Sequence, residues 1–482
     1  MKKILISIAL AIVAAGCTAE SQTAEDPWEN FVNQKVVWGA CGADECAQMI
    51  APVDYDDLDG DVVEISLVRI GGDSKPLLFV NPGGPGGSGF DYATYLGTAA
   101  GQDLLDKFAL VGFDPRGVVR SSPVQCLPDD ELNEFIKTDP TPSTKEELEQ
   151  AALDYREMGL ACDKNTGPLA AHVSTIEVVK DLDLMRQVLG QEKLNYFGAS
   201  YGTEIGAFYA EMFGENVGTM VLDSPVDLKA DALEQALGQA RGFQRAFDSF
   251  VDYCLVDGCV LGDSVTEARA EVIKLLESLE DEPLKVDDGR TLSQSEGIYG
   301  LAAALYSDSS WGWLETALGE AIESKDGTWM MNFADFYFER EGDRFLDNSF
   351  QVFNVVRCLD AVEVRSIDQQ LADYSKFVEV SPVFGDFLAW DVACLEWPLE
   401  SNIERPEVDG DKAPSILVVG TTNDPATPYE WAEAMSTQLK SAVLITKVGD
   451  GHGAYASGNA CIDRAIEDAL INGKMPKPNS KC

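Results

Sequence analysis

The segment Gly198-Ala199-Ser200-Tyr201-Gly202 limits the architecture of this 482-residue chain more than any other. It stands between an apolar run, Leu194 to Phe197, and a helical pattern from Tyr201 to Phe213 closed by Gly214. The two glycines permit a strained strand-to-helix turn that lifts a serine hydroxyl above a sheet. Such a turn belongs in a largely parallel sheet flanked by helices, and the surrounding sequence repeats that rhythm. Val62 to Ile70 alternates as an early strand, and Leu77 to Val80 and Ala109 to Phe113 read as buried ones. A helix opens at the capping box Ser174-Thr175-Ile176-Glu177 and stops at Gly190. Gly206 and Ala210, one turn apart, let the helix after Ser200 pack close to the sheet, and Met220 to Leu222 supplies another strand.

From about residue 228 to 400 the alternation gives way to amphipathic helical stretches such as Val265 to Leu279 and to aromatics including Trp311, Trp313, Trp329 and Phe336. An insertion of that size is a domain in its own right. Strand-like runs return at Ile416 to Val419 and Val443 to Val448. The expected organisation is therefore a core in two parts, residues 36–227 and 401–482, with a helical cap of residues 228–400 inserted after the sixth strand. This is the layout of the α/β-hydrolase fold, mostly parallel in its sheet.

The amino terminus points to export. Lys2 and Lys3 precede an apolar run, Ile4 to Ala15, too short to span a bilayer, and Ala14-Ala15-Gly16 leads into Cys17. This resembles a bacterial lipoprotein signal over residues 1–16, with Cys17 as the lipid-modified first residue and residues 17–35 as a tether. An ordinary secretory signal is the alternative. The expected location is the cell envelope, anchored by lipid at Cys17, or the medium. Setting Cys17 aside leaves ten cysteines in successive local pairs, an even number that suggests disulfides between nearest neighbours. Structural zinc fits poorly, since neither Cys41-x4-Cys46 nor Cys254-x4-Cys259 has histidines nearby, and no metal is expected. With 82 acidic against 36 basic residues the formal net charge is −46, which repels nucleic acid and anionic lipid.

A serine hydroxyl becomes an effective nucleophile only when a base removes its proton and an acid orients that base. The chain has two histidines. His452 lies in the glycine-lined segment Gly449-Asp450-Gly451-His452-Gly453 after the last strand run, whereas His172 precedes Ser200 and violates the serine, acid, histidine order of this fold. Asp424, in Asn423-Asp424-Pro425-Ala426-Thr427-Pro428, is the expected acid, with Asp223 as its rival and a plain Asp-Pro turn as the bland reading. The developing oxyanion needs backbone N–H groups, expected from Tyr201 and from Gly83 and Gly84 in the loop Asn81 to Gly89. That loop also matches Gly-x-Gly-x-x-Gly, but Pro82 and Pro85 cross it and export disfavours a dinucleotide, so no cofactor is expected.

The segments Asn81 to Gly89, Asp114-Pro115-Arg116-Gly117, Gly198 to Thr203, Asp424 to Pro428 and Gly451-His452-Gly453 resemble the secreted tripeptidyl aminopeptidases of the proline iminopeptidase family of serine peptidases. Ala51 to Asp56 and the Cys461 to Cys482 segment are similar too. The resemblance implies a Ser200, Asp424, His452 triad and release of short peptides, tripeptides among them, from free amino termini. One departure is Val119, where the related pattern has glycine. Asp114 and Arg116 are read as a structural pair in their loop. Peptides with free amino termini are the expected partners, and Asp360 in Arg357-Cys358-Leu359-Asp360 is the candidate for the substrate ammonium, against its reading as an ordinary surface acid. An esterase or lipase with the same triad, and a non-catalytic binding protein on this scaffold, are the other two classes.

Overall fold

A computed structural model describes residues 26–401 and 404–482. The expected signal over residues 1–16, lipidation at Cys17 and the tether as far as residue 25 lie outside the described residues. The chain opens with an antiparallel meander, β1 (Gly39–Cys41), β2 (Asp44–Pro52) and β3 (Val62–Ile70), before the parallel strands β4 (Leu77–Asn81), β5 (Ala109–Phe113), β6 (Leu194–Ala199) and β7 (Val217–Asp223). All residues of β4 and β5 are buried, as uninterrupted apolar strands covered on both faces must be. The cap follows, carrying the hairpins β8 (Leu284–Lys285) with β9 (Thr291–Leu292) and β10 (Arg340–Glu341) with β11 (Arg344–Phe345). The sheet resumes with β12 (Ile416–Asn423), β13 (Ala442–Asp450) and β14 (Ser480–Lys481), giving the order β1-β2-β3-β5-β4-β6-β7-β12-β13-β14. Counted from β2, the excursion leaves after the sixth strand.

Helices cover both faces of the sheet. One face packs against Thr175–Val188 and Tyr201–Met212 around Phe79, Phe113, Tyr196 and Leu222, and the other against Gly89–Ala99 and Ala460–Asn472 around Val80, Phe197, Leu417 and Ile466. Close packing at Gly206 is real: a β-carbon there would sit 2.5 Å from Leu222 Cδ2 and 2.9 Å from Tyr196 Cε1. The capping box forms as expected, Ser174 N–H donating to Glu177 Oε2 at 3.0 Å, and that helix ends at Val188, just before Gly190 at φ +67°. The cap has an apolar centre of its own, built on Phe247, Phe250, Leu276, Leu301 and Leu314. Ten cysteines pair with their nearest neighbours in sequence: Cys41–Cys46, Cys126–Cys162, Cys254–Cys259, Cys358–Cys394 and Cys461–Cys482. No described helix is long and apolar enough to cross a membrane.

Asp114 and Arg116 do not pair with each other. Arg116, fully buried, reaches across its loop to Asp181 with Nε at 2.7 Å and Nη2 at 2.6 Å, and gives its remaining hydrogens to the carbonyls of Pro52, Val53 and His172. All five guanidinium donors are thereby satisfied. Asp114 instead accepts from Ser88 Oγ at 2.5 Å and from Arg120 Nη1 at 3.1 Å. Both remain structural.

Candidate active site

In open α/β sheets ligands bind beyond the carboxyl ends of the strands, near a change in strand order. Here the order β5-β4-β6 brings the ends of β4 and β6 side by side. Ser200 follows β6 at φ 54°, and caps the helix Tyr201–Met212. The turn is fixed by Ser200 N–H donating to the carbonyl of Asp223 at 2.9 Å and by Thr203 N–H donating to the Ser200 carbonyl at 2.8 Å. Its glycines are steric requirements, because a β-carbon at Gly198 would lie 2.3 Å from the Gly202 carbonyl and one at Gly202 2.6 Å from the Asn81 carbonyl.

The loop after β4 lies against this turn. Gly83, at φ +98°, approaches so closely that a β-carbon would fall 2.7 Å from both the Ala199 oxygen and the Tyr201 nitrogen. Its own N–H already donates to Asn81 Oδ1 at 2.9 Å. Of the two glycines expected to face an oxyanion, Gly84 is therefore the one whose N–H is unengaged, as is that of Tyr201 among the described residues. The helix Ser349–Leu359 of the cap closes over the far side of the loop, a β-carbon at Gly86 meeting the Ser349 oxygen at 2.7 Å.

His452 Nδ1 lies 2.9 Å from Asp424 Oδ1 and 3.1 Å from Oδ2. Asp424 is fully buried, and its Oδ1 also accepts the N–H groups of Ala426 and Thr427 at 3.0 and 2.9 Å. The Asp-Pro turn and the histidine partner are thus one structure. Burial works against a protonated imidazole, but the charge and hydrogen bond of Asp424 outweigh it and hold His452 above its ordinary value. With Nδ1 committed to the carboxylate, Nε2 is the ring atom left for proton exchange. No hydrogen bond joins Ser200 Oγ to His452 among the described residues, a looseness common before substrate binds.

The rival, Asp223, is buried at the end of β7 and accepts from the N–H groups of Ala454 and Tyr455, both at 2.9 Å through Oδ2. It ties the histidine loop to the strand beneath Ser200 without touching the imidazole. His172 is engaged elsewhere, with Nδ1 2.8 Å from Glu177 Oε1 inside the capping box.

Asp360 is not an open surface acid. Its carboxylate accepts from Thr175 N–H at 3.1 and 3.2 Å and from Thr175 Oγ1 at 2.5 Å, and that hydroxyl lies 2.6 Å from the Tyr201 hydroxyl. Arg405 donates to the Asp360 carbonyl at 2.9 Å while pairing with Glu204. Burial, reinforced by the Glu204 charge, pushes the Asp360 carboxyl up to about 7.

Two contributors escape a sequence reading. Thr427 Oγ1 donates to Asp424 Oδ2 at 3.1 Å and lies 3.2 Å from His452 Nδ1; its spacing in Asp424-x-x-Thr427 is the only trace. Tyr306, at the end of the cap helix Gln294–Leu305, accepts the backbone N–H of His452 on its own backbone carbonyl at 2.8 Å and sets its ring edge-on to the imidazole, with centroids 5.3 Å apart. Nothing local announces that contact, which spans 146 residues.

Residues 76–266 match the family of the alpha/beta hydrolase fold and residues 381–482 that of the TAP-like protein. The chain is 34% identical over 503 residues to serine protease Hip1 of Mycobacterium tuberculosis, covering 98% of this chain and 96% of that protein. Carboxylesterase B of the same organism is 33% identical over 97% of the chain and 94% of its own length. A tripeptidyl aminopeptidase of Streptomyces lividans is 28% identical over 92% of the chain and 86% of its own. With a serine turn at the carboxyl edge of a mostly parallel sheet and relatives that run almost end to end, the chain belongs to the α/β-hydrolase family and is a serine hydrolase.

Proposed function

We propose that the protein is an exported serine peptidase that releases short peptides, tripeptides foremost, from free amino termini. The observation that carries the chemistry is the Asp424 carboxylate 2.9 Å from His452 Nδ1, on loops that follow β12 and β13 at the carboxyl edge of the sheet where Ser200 follows β6. Ser200 Oγ attacks the scissile carbonyl as His452 Nε2 takes its proton, and Asp424 stabilises the imidazolium. The N–H groups of Tyr201 and Gly84 receive the oxyanion. His452 then protonates the leaving amine, and water repeats the sequence to free the acyl group. Support for a peptide substrate comes from the Hip1 and tripeptidyl aminopeptidase relatives. The second reading, an esterase, is favoured by the carboxylesterase B relative.

An exopeptidase must neutralise a terminal ammonium, and for Asp360 to do so the ammonium would have to displace the Thr175 hydroxyl. The deciding experiment compares a free-amine tripeptide p-nitroanilide, its N-acetylated twin and a p-nitrophenyl ester. Preference for the free amine supports the aminopeptidase; equal cleavage of the two peptides refutes it, and ester turnover alone leaves the esterase. An unchanged preference in Asp360→Asn removes that residue from the role. Lipidation at Cys17 is part of the same reading, checked by the mass of the mature amino-terminal peptide.

A further inference from the structure

Four tyrosines, Tyr306, Tyr299 and Tyr337 of the cap and Tyr155 of the core helix Lys145–Thr166, lie on the cap side of His452. Tyr306 stands edge-on to the imidazole, and Tyr299, seven residues earlier on the same helix, shares its face. Tyr299 packs on Tyr337 with centroids 4.8 Å apart and on Phe387 at 5.3 Å, while Tyr155 stands edge-on to Phe135 at 5.0 Å. All four are half-buried, and none of their hydroxyls has a hydrogen-bond partner among the described residues, yet none is sealed from solvent. A phenol in a closed core finds a partner, so hydroxyls in this condition face open space.

The Arg357 side chain retains 41% of its accessible surface. Arg357 stands two turns after Phe350 on one face of the helix Ser349–Leu359, and the Phe350 ring lies 6.4 Å from both Tyr299 and Phe135, the ring that holds Tyr155, so these groups gather on one side of that helix. One Nη2 hydrogen pairs with Asp391 Oδ1; the other guanidinium donors have no partner among the described residues. The cluster therefore presents several N–H donors and three phenols against one spare carboxylate oxygen, among aromatic rings. Its unfilled capacity is for acceptors.

We propose that Tyr155, Tyr299, Tyr337 and Arg357 form a substrate subsite that binds carbonyl-type oxygens, either backbone carbonyls or an acidic side chain, of the peptide segment reaching past His452 into the cap. This rests on the peptidase reading and assigns that site its recognition surface. In a protein of net charge −46 the arginine also gives an acidic segment a point of attraction.

The test is the double variant Tyr299→Phe/Tyr337→Phe. Neither hydroxyl has a protein partner among the described residues, so the double variant costs them no hydrogen bond and Tm should hold. Two lost substrate hydrogen bonds predict that kcat/KM for a tripeptide p-nitroanilide, relative to p-nitrophenyl acetate, falls roughly tenfold through KM. An unchanged ratio with an intact fold overturns the proposal. Glu-for-Gln exchange along the peptide separates the sources. A preference for Glu that disappears in Arg357→Lys assigns an acidic side chain, and equal handling of Glu and Gln with the double-variant effect retained assigns backbone carbonyls. If the wild type cleaves no peptide, the peptidase reading fails, and the subsite is read with p-nitrophenyl hemiglutarate against p-nitrophenyl pentanoate. A hemiglutarate preference abolished in the double variant then supports it, and equal use of both esters overturns it.

Discussion

Asp424→Asn and Asp223→Asn form a matched pair whose outcomes the geometry ranks. In the wild type Asp424 Oδ1 must accept the N–H groups of Ala426 and Thr427, so an asparagine has to keep its single carbonyl oxygen there. Its amide NH2 then turns toward Thr427 Oγ1 and His452 Nδ1, where the carboxylate oxygen Oδ2 lay. A donor facing Nδ1 drives the imidazole proton to Nε2, and the base can no longer receive a proton from Ser200. Loss of the correct tautomer in a serine triad costs about 10⁴ in kcat, or about 5 kcal/mol of barrier. Asp223→Asn keeps one acceptor for the Ala454 and Tyr455 N–H groups and leaves the imidazole pair intact. It should lower stability by about 1–3 kcal/mol and kcat by no more than about tenfold. Steady-state hydrolysis of a p-nitrophenyl ester, with folding checked by circular dichroism and Tm, measures both. Should Asp424→Asn retain a tenth of wild-type kcat, or Asp223→Asn prove the deeper lesion, the tautomer argument collapses and the acid lies on β7.

Because Asp424 holds the His452 pKa above the ordinary 6.5, kcat/KM should rise with pH through a midpoint above 6.5, as the base works only when neutral. The same shift makes His452 stabilising below its unfolded pKa, a contribution lost as pH rises through the folded one; repeating the rate profile in Asp360→Asn removes the carboxyl that titrates near 7, and a midpoint at or below 6.5 in both proteins contradicts the pairing. Asp181→Asn strands the fully buried Arg116 guanidinium and should destabilise by about 3–5 kcal/mol, read as a lower urea midpoint under non-reducing conditions; a loss under 1 kcal/mol would show that the five-donor network adds little. Gly83→Ala puts a methyl group 2.7 Å from the Tyr201 nitrogen at a positive φ, so activity should fall by about 10² or more as the nucleophile turn and its N–H are displaced, and near-normal kcat would refute that tight approach.

The core was legible because its signals are local. Val62–Ile70 and Ala109–Phe113 coincide with their apolar runs, and the Ser174 capping box and the glycines around Ser200 carry their geometry in adjacent residues. Chain order leaves both Asp424 and Asp223 between Ser200 and His452, so the preference for Asp424, which follows the later strand run Ile416 to Val419, needs the contact with His452 to support it. What stayed hidden depends on contacts between distant segments. β1 is three residues long, without enough alternation to announce itself. Arg116 finds Asp181 rather than Asp114 because a buried guanidinium takes the acceptors that surround it in space. Asp360 looked like a surface acid, yet Thr175, Glu204 and Arg405 converge on it from three remote stretches.

The order of the five disulfides has a consequence for how the molecule is made. Every bridge joins one cysteine to the next along the described chain, closing separations of 5, 36, 5, 36 and 21 residues without any loop crossing another. Six half-cystines alone allow fifteen pairings, and ten allow far more. A polypeptide threaded amino terminus first into an oxidising space, with Cys17 taken by lipid as proposed, never has to choose among them: each second thiol, on arrival, meets only the single thiol still waiting. Vectorial delivery reads off the native connectivity one bridge at a time. A full-length chain reduced, unfolded and reoxidised all at once has lost that ordering, and should recover correct pairing more slowly and with greater need of thiol–disulfide exchange.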